Sequence, residues 1–247
     1  MLIALIIAMI FGGGSNSPFA DPDLLKYIKK TVADQDRKEQ IVDLAKEYKT
    51  YIKRFAKEQA EGLKEMDAMF ANRETTRADF ETFFSEWRGS HATQEAKAVE
   101  GRMRFQNMIT EEEWARVLQM VDAGKKDPTK DQRKLIDKFK SRTTKRRAAI
   151  ASEIADADRR ETALKSYDGF QLAVVEYMLE KARLNYKDND AIRNIFASED
   201  DMKAIYAKRD QLRAELYKAY IPMHAELVAS TKEEEWTNIS KAVSKLF

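Results

Sequence analysis

The sequence has no cysteine, and only two histidines (His91 and His224), eight glycines and four prolines among its 247 residues. Without cysteine there is no disulfide framework, no thiolate metal site and no cysteine nucleophile. Two histidines exclude a histidine-rich metal site. So little glycine and proline removes the collagen-like, linker-like and proline-rich classes. A dominant charge is also missing: 44 Lys and Arg face 42 Asp and Glu, which argues against an acidic or basic disordered chain. No window shows sustained apolar/polar alternation, so strands are not expected. Walker loop, dinucleotide glycine pattern, zinc-protease helix motif and nucleophile elbow are all absent. The reading that follows is non-enzymatic, with no cofactor and no metal.

Residues Met1 to Phe11 are continuously apolar, and Gly12-Gly13-Gly14-Ser15 then breaks the run before charge begins at Asp21. Residues 1–20 read as a signal peptide or a membrane anchor. Ala20 suits a cleavage residue, but no Lys or Arg precedes the apolar core. As an anchor the segment is short, since fourteen helical residues span roughly 21 Å against a hydrocarbon core of about 30 Å. Its Leu, Ile and Phe side chains still favour insertion by roughly 0.5 kcal/mol each. Lys26, Lys29 and Lys30 would stay cytoplasmic under the positive-inside tendency, whereas an export signal carries them outward. A cell-envelope location with an extracytoplasmic body is the favoured reading.

The remainder is rich in Ala, Glu, Lys, Arg, Gln and Leu, a helix-forming composition. The expected fold is all-α, an elongated antiparallel bundle with two long helices of about 50 residues, each about 75 Å long. The first should run from Asp21, with Pro22 in its first turn, to about Asn72. Its apolar stripe, Ile41, Ala45, Tyr48, Ile52, Phe55, Gln59, Gly62, Met66 and Met69, steps by four and three in the coiled-coil manner. A second helix starts after Thr76, with Asp79 as its third-position acid, and a weak or bent stretch is expected from Gly89 to Gly101. Thr110-Glu111-Glu112-Glu113-Trp114 opens a short helix as a capping box, with acids at the positive end. The second long helix should run from Pro128 to about Asn185. Another starts near Ser198 with Asp201 in support, and a last short one opens at Thr231-Lys232-Glu233-Glu234-Glu235-Trp236.

The two parts, 21–124 and 125–247, share an order of elements and read as two tandem three-helix units. Glu111–Trp114 matches Glu233–Trp236 at an offset of 122, and Met69–Glu74 matches Ile195–Glu199 at an offset of 126. Helix starts draw on few residue types, so such matches also arise without duplication.

Two groups of residues are candidates for function. Basic side chains cluster at Lys125, Lys126, Lys130, Arg133, Lys134, Lys138, Lys140, Arg142, Lys145, Arg146 and Arg147, eleven against three aspartates. This stretch could meet anionic lipid headgroups or another acidic partner. Nucleic acid is disfavoured, because only Phe139 interleaves as a base-stacking ring. The plain alternative is a solvated helix face. Pro222 inside a helix removes a backbone hydrogen bond, so a kink is expected, which can open a pocket beside Tyr220, Met223 and His224 but more often bends a helix around a core. His91 and Glu95 lie one helical turn apart, half of a metal site at most. Together these features suggest a membrane-linked or exported adaptor, scaffold or envelope component that binds a protein partner. A periplasmic holdase-like or stress-response protein is the alternative, and homo-oligomerisation through the first stripe stays open.

Overall fold

A computed structural model describes residues 23–123 and 129–243, without the side chains of 49, 52 and 129–136. Residues 1–20 and the side chains of Lys125, Lys126, Lys130, Arg133 and Lys134 lie outside what it describes. The protein is all-α, and no strand occurs among the described residues. The helices are α1 (Leu24–Thr31), α2 (Gln35–Ala71), α3 (Arg77–Gln106), α4 (Glu111–Ala123), α5 (Thr129–Glu153), α6 (Ala157–Lys187), α7 (Asn189–Arg193), α8 (Glu199–Ala229) and α9 (Glu233–Val243). Among the described residues no helix is long and apolar enough to cross a membrane.

The two helices of about 50 residues are each broken in two. The expected helix from Asp21 divides at residues 32–34, and the one from Pro128 divides at residues 154–156. An aspartate causes both breaks. Asp34 accepts the backbone N–H of Arg37 at 2.8 Å, and Asp156 accepts that of Arg159 at 2.9 Å. Each thereby caps the start of the next helix, while the preceding Val32 or Ile154 turns into a core. The longest helix is therefore α2, with 37 residues and a length of about 56 Å. The expected weak stretch from Gly89 to Gly101 is also corrected, because α3 is helical throughout. Its polar residues divide between a buried set, His91, Gln94 and Glu95, and an exposed set, Thr93, Lys97 and Glu100. Tyr48 packs its ring against Gly101 and accepts that glycine's N–H at 3.1 Å, an approach only a residue without Cβ permits.

Two compact units form. Among the described residues, unit 1 gathers 23–58, 89–123 and 181–210, and unit 2 gathers 59–88, 129–180 and 211–243. Four helices, α2, α3, α6 and α8, thus contribute to both units. Each unit holds helices from one part of the chain and a hairpin from the other: residues 181–210 complete unit 1, and residues 59–88 complete unit 2. The core of unit 1 is built on Ile28, Ile41, Phe105, Trp114, Val117 and Ile195. That of unit 2 is built on Phe70, Phe80, Ile150, Tyr167, Tyr220 and Trp236.

The same bonds recur 122 residues apart. Arg37 grips Glu113 through two bonds of 2.9 Å, and Arg159 grips Glu235 at 2.7 and 3.1 Å. The same guanidinium groups donate to the carbonyls of Met108 and Ser230. Burial pushes the Glu113 carboxyl up, but Arg37 and the Thr110 N–H outweigh it and hold it below its ordinary value. Arg159 and the Lys232 N–H hold Glu235 down at about 2. Asn72 and Asn194 each bond the N–H two residues on. The offset of 126 does not recur in these bonds.

The tryptophans fasten the exchanged hairpins. Trp114 Nε1 donates to the Arg193 carbonyl and Trp236 Nε1 to the Ala71 carbonyl, both at 2.8 Å. Both rings are buried, and both acceptors lie at helix C-termini, where carbonyls lack intrahelical partners. Replacing either tryptophan with phenylalanine should cost about 2 kcal/mol, from a lost bond to a buried carbonyl and lost ring area. Urea unfolding measures it; a cost no larger than that of an exposed substitution would contradict this role.

Candidate functional site

Beginning with the residues around Pro222, the sequence expectation of a pocket meets a filled core. Pro222 sits inside α8, and Tyr220, Met223 and His224 are buried in unit 2. The His224 ring meets Phe80 edge-on at 4.9 Å, Phe70 at 5.2 Å and Trp236 at 5.5 Å between centroids. Its Nε2 lies 3.0 Å from the Phe70 carbonyl, so that nitrogen carries the proton and donates. The rings occupy the space that a pocket would need, and the histidine serves packing and one backbone bond.

The basic stretch is exposed where its side chains are described. Lys138, Lys140, Arg142 and Lys145 are exposed on α5. Arg147 pairs with Asp168 of α6 at 3.1 Å. Arg146 is half-buried, and burial lowers its pKa. Thr143 donates to Gln171 at 3.0 Å. With Arg147–Asp168, this bond sets α5 antiparallel to α6, with Lys140 level with Val175.

A third group was not anticipated as a site. In unit 1, α3 buries His91, Gln94, Glu95 and Arg102, and α8 adds Tyr206 and Arg209. Arg102 donates to the carbonyls of Ala191, Ile192 and Asn194, the first two at 2.9 and 3.1 Å. A cation there meets the C-terminus of α7, although burial lowers the guanidinium to about 10. Arg209 donates to Asn185 at 3.0 Å and stands 5.7 Å above the Tyr206 ring centroid. Burial raises the pKa of Tyr206. His91 lies edge-on to Phe55 at 5.7 Å. Neither amide atom of Gln94 has a hydrogen-bond partner among the described residues.

Comparison across the offset of 122 shows what is particular to unit 1. Gln94 stands where unit 2 has Leu216, Glu95 where it has Tyr217, and Tyr206 where it has Phe84. Phe84 and Tyr217 stack face to face in unit 2, with centroids 4.2 Å apart. In unit 1 the carboxylate fills less space than the tyrosine, and a groove of about 610 Å³ opens over Glu95, Ala96, Val99, Met103, Tyr206 and Ala207. The available signal was His91, Gln94 and Glu95 at one-turn spacing. Among the described residues no group of three His, Asp or Glu is placed to hold a metal.

No family model matches the chain, and neither a curated protein nor a solved structure matches it. The fold and these sites define it as an all-helical protein of two compact units.

The buried histidine makes stability pH-dependent. Burial lowers His224 from 6.5 to about 4, against the Phe70 carbonyl, which raises it. The unfolded chain binds this proton near pH 6.5 and the folded chain only near pH 4. The contribution is therefore complete above pH 6.5 and is lost as the pH falls through 4, roughly 2–4 kcal/mol in all. His224→Gln keeps a donor for Phe70 and removes the titration. The fall in urea midpoint between pH 7 and pH 4.5 should shrink in the variant; an unchanged slope would assign it to other groups.

Proposed function

We propose that this protein is a non-enzymatic, membrane-linked scaffold or adaptor, built by tandem duplication of a helical unit, with residues 1–11 as its anchor and an extracytoplasmic body. The observation that carries this reading is the apolar run Met1–Phe11 joined to a chain whose buried charged groups serve the framework. Arg37 and Arg159 each clamp a helix start, and Arg102 caps a helix end. These groups bind backbone or each other and do not converge on one reacting atom, as an acid–base or nucleophilic site would require. Support for duplication comes from the bonds repeated at an offset of 122. A protein partner fits such a scaffold, and the stripe of α2 is largely used inside the chain, since Ile41, Phe55, Gln59 and Met66 are buried.

A second reading, an exported holdase-like protein, is favoured by the exposure of Leu172, Leu179 and Tyr186. Expression of the full chain in a Gram-negative host separates the two. The anchor reading expects the intact mass in alkali-washed membranes. A chain shortened near Ala20 and released with the periplasm would overturn the anchor and favour the holdase. A full-length chain in the cytosol would overturn both.

A further inference from the structure

Large apolar side chains seldom stand exposed in a row on an ordered helix. On α6, Leu172 is 65% exposed, Val175 38% and Leu179 56%. Their spacing of three and four puts them on one face of the helix. The fold does not require them. The positions 122 residues earlier, on α2, are Thr50, Lys53 and Lys57, and they are exposed as well. The same kind of helix thus occurs twice, once with a polar face and once with an apolar one.

The helix beside this face is the basic one. The bonds Thr143–Gln171 and Arg147–Asp168 hold α5 along α6. Lys138, Lys140, Arg142 and Lys145 follow within two turns, with Asp137 as the one acid between 137 and 147. These four cations are exposed, and no ion pair holds them among the described residues. A helix is about 10 Å across, so their charge acts at the apolar face within about one Debye length at 0.1 M salt. At the positions 122 residues earlier the sequence has Asn16, Pro18, Ala20 and Asp23. Both the apolar row and the basic run therefore belong to unit 2, and the corresponding positions of the other part carry neither.

We propose that α5 and α6 of unit 2 form a docking surface for anionic lipid, with Leu172, Val175 and Leu179 entering the interface, Lys140 on the α6-facing side of α5 meeting the headgroups beside them, and Lys138 and Arg142 adding positive charge from the far side of α5. The inference builds on the membrane-linked reading and adds a second, charge-selective contact. Apolar side chains beside cations are the combination by which interfacial helices bind, and a lone anchor of marginal length gains most from a second contact. The basic run provides the charge complementarity that selects an anionic surface over a neutral apolar partner.

The test uses the full chain and sedimentation with vesicles of phosphatidylcholine alone or with 30% phosphatidylserine. The variants are L172T/V175T/L179T, whose polar side chains match the character of the second copy of this helix, and K138Q/K140Q/R142Q. Unfolding midpoints close to wild type confirm that each variant folds. Wild type should partition at least about tenfold more strongly onto the anionic vesicles, each variant should lose most of that gain, and 0.5 M NaCl should remove it. Equal binding to both vesicles, unchanged in the variants, would overturn the docking surface and leave the anchor standing. Overturning outcomes also include a dimer that the threonine variant dissolves without effect on vesicle binding, and binding to duplex DNA as tight as to anionic vesicles and indifferent to the threonine variant. If the anchor itself fails, the wild-type chain recovered without residues 1–20 should still prefer anionic vesicles.

Discussion

Neither part of this chain closes its own core. The hairpin of residues 59–88 is packed into unit 2 and that of residues 181–210 into unit 1. The constraint is helix length. An α2 of 37 residues and helices α3, α6 and α8 of 30 or 31 residues run on from one core into the other. The ends of α2 and of the short α7 leave carbonyls to be satisfied, and residues of the other part satisfy them: Trp236 at Ala71, Trp114 at Arg193, His224 at Phe70 and Arg102 at Ile192. Position by position these bonds are the same bond made twice, with Arg102 and His224 as the one change of residue type among the donors.

That exchange explains why charge is buried so often in a chain of ordinary composition. Each Arg–Glu clamp joins the start of one helix to a helix start 76 residues later, so the pair locks the register of the unit as well as contributing energy. Both pairs are only half-buried, with the arginines about a third exposed, so their stability gain is modest and their chief effect is on register. The units diverge where the framework does not need agreement. Unit 2 fills its centre with stacked rings, whereas unit 1 keeps Gln94, Glu95 and Arg102 at the same positions and is open above Glu95. On the outside the divergence reverses, with the apolar row of α6 facing solvent in unit 2.

Local chemistry made much of this legible. Thr76 with Asp79 and Ser198 with Asp201 act as the reciprocal caps their spacing suggests. Both Trp-bearing short helices start where their acid runs announce them. The stripe from Ile41 to Met66 marks a buried face, including Gln59, which accepts from Trp87. Non-local features stayed hidden. Asp34 and Asp156 lie inside runs that read as continuous helix, and only their bonds to the Arg37 and Arg159 N–H groups show them as helix starts. The polar row His91, Gln94 and Glu95 is buried in unit 1, where α8, more than 100 residues on, adds Tyr206 and Arg209, a proximity that local spacing does not show. Pro222 pointed to a possible pocket, and two of the rings that fill the space, Phe70 and Phe80, come from the other part of the chain.

The exchanged hairpins are tested most directly by cutting the chain between the two parts. A specific protease site placed at residues 124–128 of the full-length protein, cleaved under native conditions, gives two pieces that each supply most of one unit and a hairpin to the other. The account predicts that the pieces stay together through size exclusion and unfold in one transition near that of the uncut protein. Pieces that separate without denaturant and keep their helicity would show that each part closes its own core, contrary to the exchange.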